Sequence, residues 1–216
     1  LGKKVRQGLV MYLAIEEPEW NVRMAFRKLG ITEDTPLRIH FGRISPNATT
    51  ELISIVTELR PALVVIDTIG RIRNRNLKLN DYASTGEWLE PFLYLAHETD
   101  ACVCLIYHDT KAGRHAVEYE GMFSVLGSAH IAATFDQLIG LRRKQDGRRT
   151  FSTTGRYDDT PETVMAFDAE TESLTALGTA TEVRIGQLKK DILAALEAGD
   201  LTQPEVLKRV SGKSQL

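Results

Sequence analysis

Three short apolar runs, each ending in a polar residue, constrain this chain more than any other feature. They are LVMYLAI (9–15) before Glu16, ALVVI (62–66) before Asp67, and ACVCLIY (101–107) before His108. A run with apolar residues at successive positions suits a strand buried on both faces, as in a parallel sheet covered by helices. The intervening segments have helical character. Trp20 to Leu29 is amphipathic and ends at Gly30, a short strand lies around RIHFGRI, and Thr50 to Arg60 reads as a helix closed by Pro61. That second helix is expected to bury Leu52, Ile53, Ile55, Val56 and Leu59. After Asp67 a polar loop runs to Asp81, and Ser84 with Glu87 forms a capping box opening a helix that carries Trp88, Leu89, Phe92, Leu95 and Ala96. Strands alternating with helices predict an α/β fold, an open parallel sheet with helices on both sides.

The chain beyond His108 reads as a polar stretch, a small-residue helix around GSAHIAA, a strand FDQLIGL, and hairpin-like strands around RRTFSTTGR, TVMAFD and SLTAL. Near Gly178 the pattern changes. TATEVRIGQ reads as a short polar connection, KKDILAALEAG as an amphipathic helix, and LTQPEVLKRVSG as another, with Thr202 capping, Pro204 in the first turn and Glu205 at the box position. The pair resembles the opening of a winged helix, so the expected division is a core over 1–178 and a linker with a partial helix-turn-helix over 179–216.

With 216 residues, 43% of them hydrophobic and 26% charged, the chain can bury a core, which excludes disordered, collagen-like and disulfide-scaffold classes. Twenty-seven Lys and Arg against 29 Asp and Glu give a net charge of -2, so contact with nucleic acid has to come from a local basic loop. No apolar run approaches a membrane span, and LGKKVRQG lacks the marks of a secretion signal; the expected location is the cytoplasm, with no membrane partner. Cys102 and Cys104 are read as reduced core thiols. The chain opens without methionine and almost at once enters a strand, which suggests a piece of something longer.

Ligands of open parallel sheets bind at the carboxyl ends of the strands, which directs attention to the polar residue closing each run. Asp67, emerging from LVVID, is placed as a Mg²⁺ ligand beside phosphates would be, or as a turn cap. Glu16 could take a proton from an attacking water, with Glu17 as a competitor; either could instead favour the positive end of a helix starting at Pro18. His108 could hydrogen-bond a terminal phosphate and pass its loss to the following loop with Lys111, Arg114 and His115, or be a satisfied core imidazole.

Taken together, MYLAIEEPE, PALVVIDTIGRIR, CLIYHDTKAG, LGSAHIAATFDQLIGLRR and TTGRYDD resemble the RecA-type ATPase core of the RepA-like hexameric replicative helicases of plasmids and phages. The resemblance covers roughly 5–178. It implies ATP and Mg²⁺ as cofactors, hydrolysis by attack of water, head-to-tail assembly into a ring, a hexamer in that family, and single-stranded DNA as the polymer. Residue by residue it implies Glu16 as catalytic base, Asp67 as the Walker B metal ligand, His108 with Lys111 as sensors of the γ-phosphate, and Arg156 as the finger that reaches a neighbouring subunit's site. Tyr107 stands where the family has a first histidine, and Asp136 where some plasmid helicases carry an arginine.

The family's glycine-rich phosphate loop, G-x-x-x-x-G-K-S/T, does not occur here. Gly212, Lys213 and Ser214 spell its end, but Leu207 stands at the first glycine and the context is a helix end. The family places that loop before the strand that opens this chain, so it is expected in a preceding segment, and the 216 residues alone are expected to bind nucleotide poorly. Arg71, Arg73, Arg75 and Lys78, with Lys111 and Arg114 after His108, form basic loops that face the DNA channel in RecA-type rings; the alternative is a solvated surface. A rival from another class is a DNA-binding regulator that keeps the ATPase fold as a scaffold and binds through the terminal helices. A remodeller of proteins would share every catalytic residue.

Overall fold

The computed structural model describes residues 4–42, 45, 47–72, 82–108, 134–144, 147–157, 159–197, 199 and 201–211. These fall into two compact units, one of 1–138 with 169–173 and one of 139–168 with 174–216.

In the first unit the apolar runs form strands β1 (Val10–Ala14), β3 (Leu63–Asp67) and β4 (Cys102–Ile106), and RIHF falls in β2 (Leu37–Phe41). The sheet is parallel in the order β2-β1-β3-β4. Helices α1 (Glu19–Lys28), α2 (Ala48–Leu59) and α3 (Tyr82–Thr99) make the connections. The step from β1 to β2 runs opposite to the steps from β2 to β3 and from β3 to β4. Right-handed crossovers therefore put α1 on one face and α2 with α3 on the other. On the α2–α3 face the core joins Met11, Leu13, Val64 and Ile66 of the sheet to Leu52, Val56, Leu89, Phe92 and Leu95 of the helices. The alternate residues of β1 and β3 look toward α1, where the Tyr12 and Phe26 rings meet edge to face at 5.2 Å.

Three local expectations are corrected here. Ile55 is 43% exposed: Leu52, Val56 and Leu59 recur at i, i+4 and i+7 and hold the inward stripe, leaving Ile55 at its margin. Helix α3 begins at Tyr82, ahead of Ser84, and carries Pro91 inside it. Cys102 and Cys104 are free thiols, but Cys102 is exposed, because β4 ends the described strand order and is less buried than β1 or β3. The helix of GSAHIAA lies outside the described residues.

The second unit's sheet has the order β5-β6-β7-β8, from β5 (Gln137–Arg143), β6 (Arg149–Gly155), β7 (Thr160–Phe167) and β8 (Leu174–Thr179), with antiparallel β6–β7 and β7–β8 pairs. Helices α4 (Ala180–Leu196) and α5 (Gln203–Ser211) follow and pack on each other. TATEVRIGQ is helical from Ala180 and does not form a separate connection. Thr179 and Glu182 close a reciprocal capping box that starts α4 at once, and each satisfies an amide the first turn leaves free. At α5, Glu205 accepts from the Thr202 amide and hydroxyl as the spacing predicts. Among the described residues no helix is long and apolar enough to cross a membrane.

Candidate active site

The parallel register sets Ala14 beside Asp67, and the Ile15 amide donates to the Asp67 carbonyl at 2.9 Å, so β1 and β3 deliver their polar ends to the same edge. Beyond Asp67 the backbone turns through a single 3-10 turn, Ile69–Arg71, anchored by the buried Ile69. The Asp67–Thr68 peptide is cis. The Arg71 amide donates to the Thr68 carbonyl at 3.0 Å, which brings the Arg71 side chain back over the strand ends.

Glu16 sits between these groups. Thr68 Oγ1 donates to its Oε2 at 3.0 Å, and Arg71 Nη2 donates to its Oε1 at 3.0 Å. The Thr68 hydroxyl is the main influence holding the Glu16 carboxyl below the usual range; slight burial opposes it, and the Arg71 guanidinium and His108 add to it. An ionised carboxylate with both oxygens held can orient a water and accept its proton. Glu17 is turned to local work, accepting from Asn21 Nδ2 at 3.1 Å in the first turns of α1.

Asp67 shares the α1 face with Tyr12, whose hydroxyl donates to Oδ2 at 2.5 Å. Burial first, and then the hydrogen bond to Asp67, push the Tyr12 phenol far above its ordinary range. Among the described residues Tyr12 is the hydrogen-bond partner seen for the Asp67 carboxylate, through Oδ2. No group of three or more His, Cys, Asp or Glu that could hold a metal occurs among the described residues. One half-buried carboxylate at a strand end fits Mg²⁺, which keeps several waters and takes one or two carboxylates plus phosphate oxygens.

His108 is exposed just past β4 and lies within electrostatic reach of Glu16. Tyr107 packs against the hydrophobic core. Arg156 is exposed after β6, in a turn where the Gly155 amide donates to Asp159 Oδ1 at 3.1 Å; it belongs to the second unit. Asp136 is exposed just before β5. Lys111, Arg114, Arg73, Arg75, Lys78 and the GKS at 212–214 lie outside the described residues. The structure thus brings Glu16, Asp67 and His108 to one sheet edge and adds Tyr12, Thr68 and Arg71 as their partners.

A family model described as an AAA domain matches residues 1–114, more than half of the chain. The chain belongs to this AAA-domain family. Among solved structures, this AAA domain is similar to one described as an ATPase domain, with a TM-score of 0.60 over 78% of this chain and 74% of that one at 14% identity. At that identity the likeness speaks for the fold, which is RecA-like. No curated protein is similar enough to count as a relative.

Proposed function

We propose that this AAA domain hydrolyses ATP as the motor of a cytoplasmic ring, a hexamer, that acts on single-stranded DNA in the replication of a plasmid, phage or other mobile element. The observation that carries the reading is the meeting of Glu16 and Asp67 on neighbouring strand ends, bridged by Thr68. In this reaction water attacks the γ-phosphorus in line, the bond to the bridging oxygen breaks to give ADP and phosphate, and Glu16 takes the water's proton. Asp67 would hold Mg²⁺, which would supply charge neutralisation for the phosphate oxygens. His108 and Lys111 sense the γ-phosphate, and Arg156 of a neighbouring copy stabilises transition-state charge. Residues 1–178 form the core of the motor in this reading, and the helices of 179–216 are an appended DNA or protein contact. The phosphate cradle is supplied by a glycine-rich loop encoded upstream.

The test uses the protein from the complete reading frame. Glu16→Gln keeps Mg·ATP binding and loses turnover; undiminished turnover would remove Glu16 from the role. For the DNA part, Arg73→Ala with Arg75→Ala should flatten the dependence of single-stranded DNA affinity on salt, since each phosphate that an arginine neutralises adds roughly 0.7 to the slope. An unchanged slope removes these arginines from the channel. DNA binding through α5 with no hydrolysis at all would favour the regulator.

A further inference from the structure

The α1 face of the sheet carries a contact that the catalytic roles leave unused. We propose that Tyr12 is a positioning residue for Asp67, fixing Oδ2 and with it the orientation in which the carboxylate would take Mg²⁺; the inference rests on the ATPase reading above. Tyr12 stands on β1 two residues before Ala14, the register partner of Asp67, and so meets Asp67 diagonally on the same face. Its hydroxyl donates to Oδ2. Its ring cannot swing freely, because Phe26 of α1 meets it edge to face at 5.2 Å with an interplanar angle of 78°. A carboxylate with one oxygen tied to a buttressed donor keeps one rotamer, and its other oxygen keeps one direction. Hydrogen bonds to metal-binding carboxylates act in this way, by orienting the ligand before the ion arrives.

The experiment is a Mn²⁺ titration followed by electron paramagnetic resonance, on the protein from the complete reading frame with ADP present, for the wild type, Tyr12→Phe and Asp67→Asn. Thermal melting of each variant checks its fold. Tyr12→Phe keeps the ring and removes only the hydroxyl, and is expected to weaken Mn²⁺ binding about tenfold, the lower end for removal of such a partner. ADP affinity without metal should stay at the wild-type value, which a general loss of structure would not allow. Weakened Mn²⁺ binding in Asp67→Asn with wild-type binding in Tyr12→Phe overturns the proposal and leaves the ATPase reading standing. Wild-type binding in Asp67→Asn removes the metal role of Asp67 and the proposal with it. Should Tyr12→Phe fail to fold, Phe26→Leu, which keeps the hydroxyl but removes its buttress, carries the same expectation of weaker Mn²⁺ binding, and an unchanged affinity there overturns the proposal.

Discussion

Replacing Thr68 by valine removes one donor from Glu16 at nearly constant shape. Thr68 is 5% exposed and gives its hydroxyl to Glu16 Oε2 at 3.0 Å. A hydrogen bond to a charged group contributes about 1.5–3 kcal/mol, but the Glu16 side chain is 34% exposed and water can replace part of that. The expected cost is therefore about 1 kcal/mol at neutral pH, below that range. Its pH dependence has a definite sign. The Glu16 carboxyl is depressed in the folded state, chiefly by Thr68, so the stability it contributes is present above the unfolded carboxyl's pKa and is lost as pH falls through the folded one. Urea denaturation of wild type and Thr68→Val at pH 7 and in the acid range should show the gap narrow on acidification. The same valine in a Glu16→Ala background should cost close to nothing, leaving a coupling of about 1 kcal/mol between the two sites. A cost that ignores pH, or one that survives in the Glu16→Ala background, would refute the hydrogen bond as its origin.

Two further outcomes test the packing of the first unit and the capping of the second. Leu95 is fully buried between α3 and the sheet, so Leu95→Ala should lower stability by about 2–5 kcal/mol with an unchanged denaturant slope; a drop under about 1 kcal/mol would contradict the packing. Thr179→Ala removes the capping box of α4 and should cost about 1 kcal/mol, visible as faster hydrogen exchange in its first turn; unaltered exchange there would show that the cap does not hold α4.

The strands of the first unit are legible in the sequence because burial on both faces leaves an uninterrupted apolar run, and the polar residue ending each run marks the edge where a ligand can bind. Glu16, Asp67 and His108 stand out as candidates on that ground, each beside a structural alternative, and their roles come from the resemblance. Their partners do not stand out. Tyr12 reads as one more apolar position of β1, and its bond to Asp67 depends on the register between β1 and β3, which no local pattern encodes. Arg71 reads as the first cation of a DNA-facing loop, yet the 3-10 turn after Thr68 folds it back onto Glu16. Thr68, next to Asp67, carries no signal of its own beyond a hydroxyl. The early start of α4 is encoded in Thr179 and Glu182, but the polar composition of TATEVRIGQ outweighs that box when periodicity is the guide. Ile55 fails for a related reason: apolar identity counts it inward, and only the angular position of Leu52 and Val56 excludes it.

The central claim, that the carboxylate held by Thr68 and Arg71 is the proton acceptor, is tested most directly by single-turnover hydrolysis of Mg·ATP by the protein from the complete reading frame, with Glu16→Gln and Glu17→Gln side by side. The account predicts that Glu16→Gln slows the chemical step by at least about a hundredfold, the lower end for a general base, while Glu17→Gln, which loses the charge on the partner of Asn21 Nδ2, hydrolyses at the wild-type rate. Hydrolysis preserved in Glu16→Gln and lost in Glu17→Gln would contradict it.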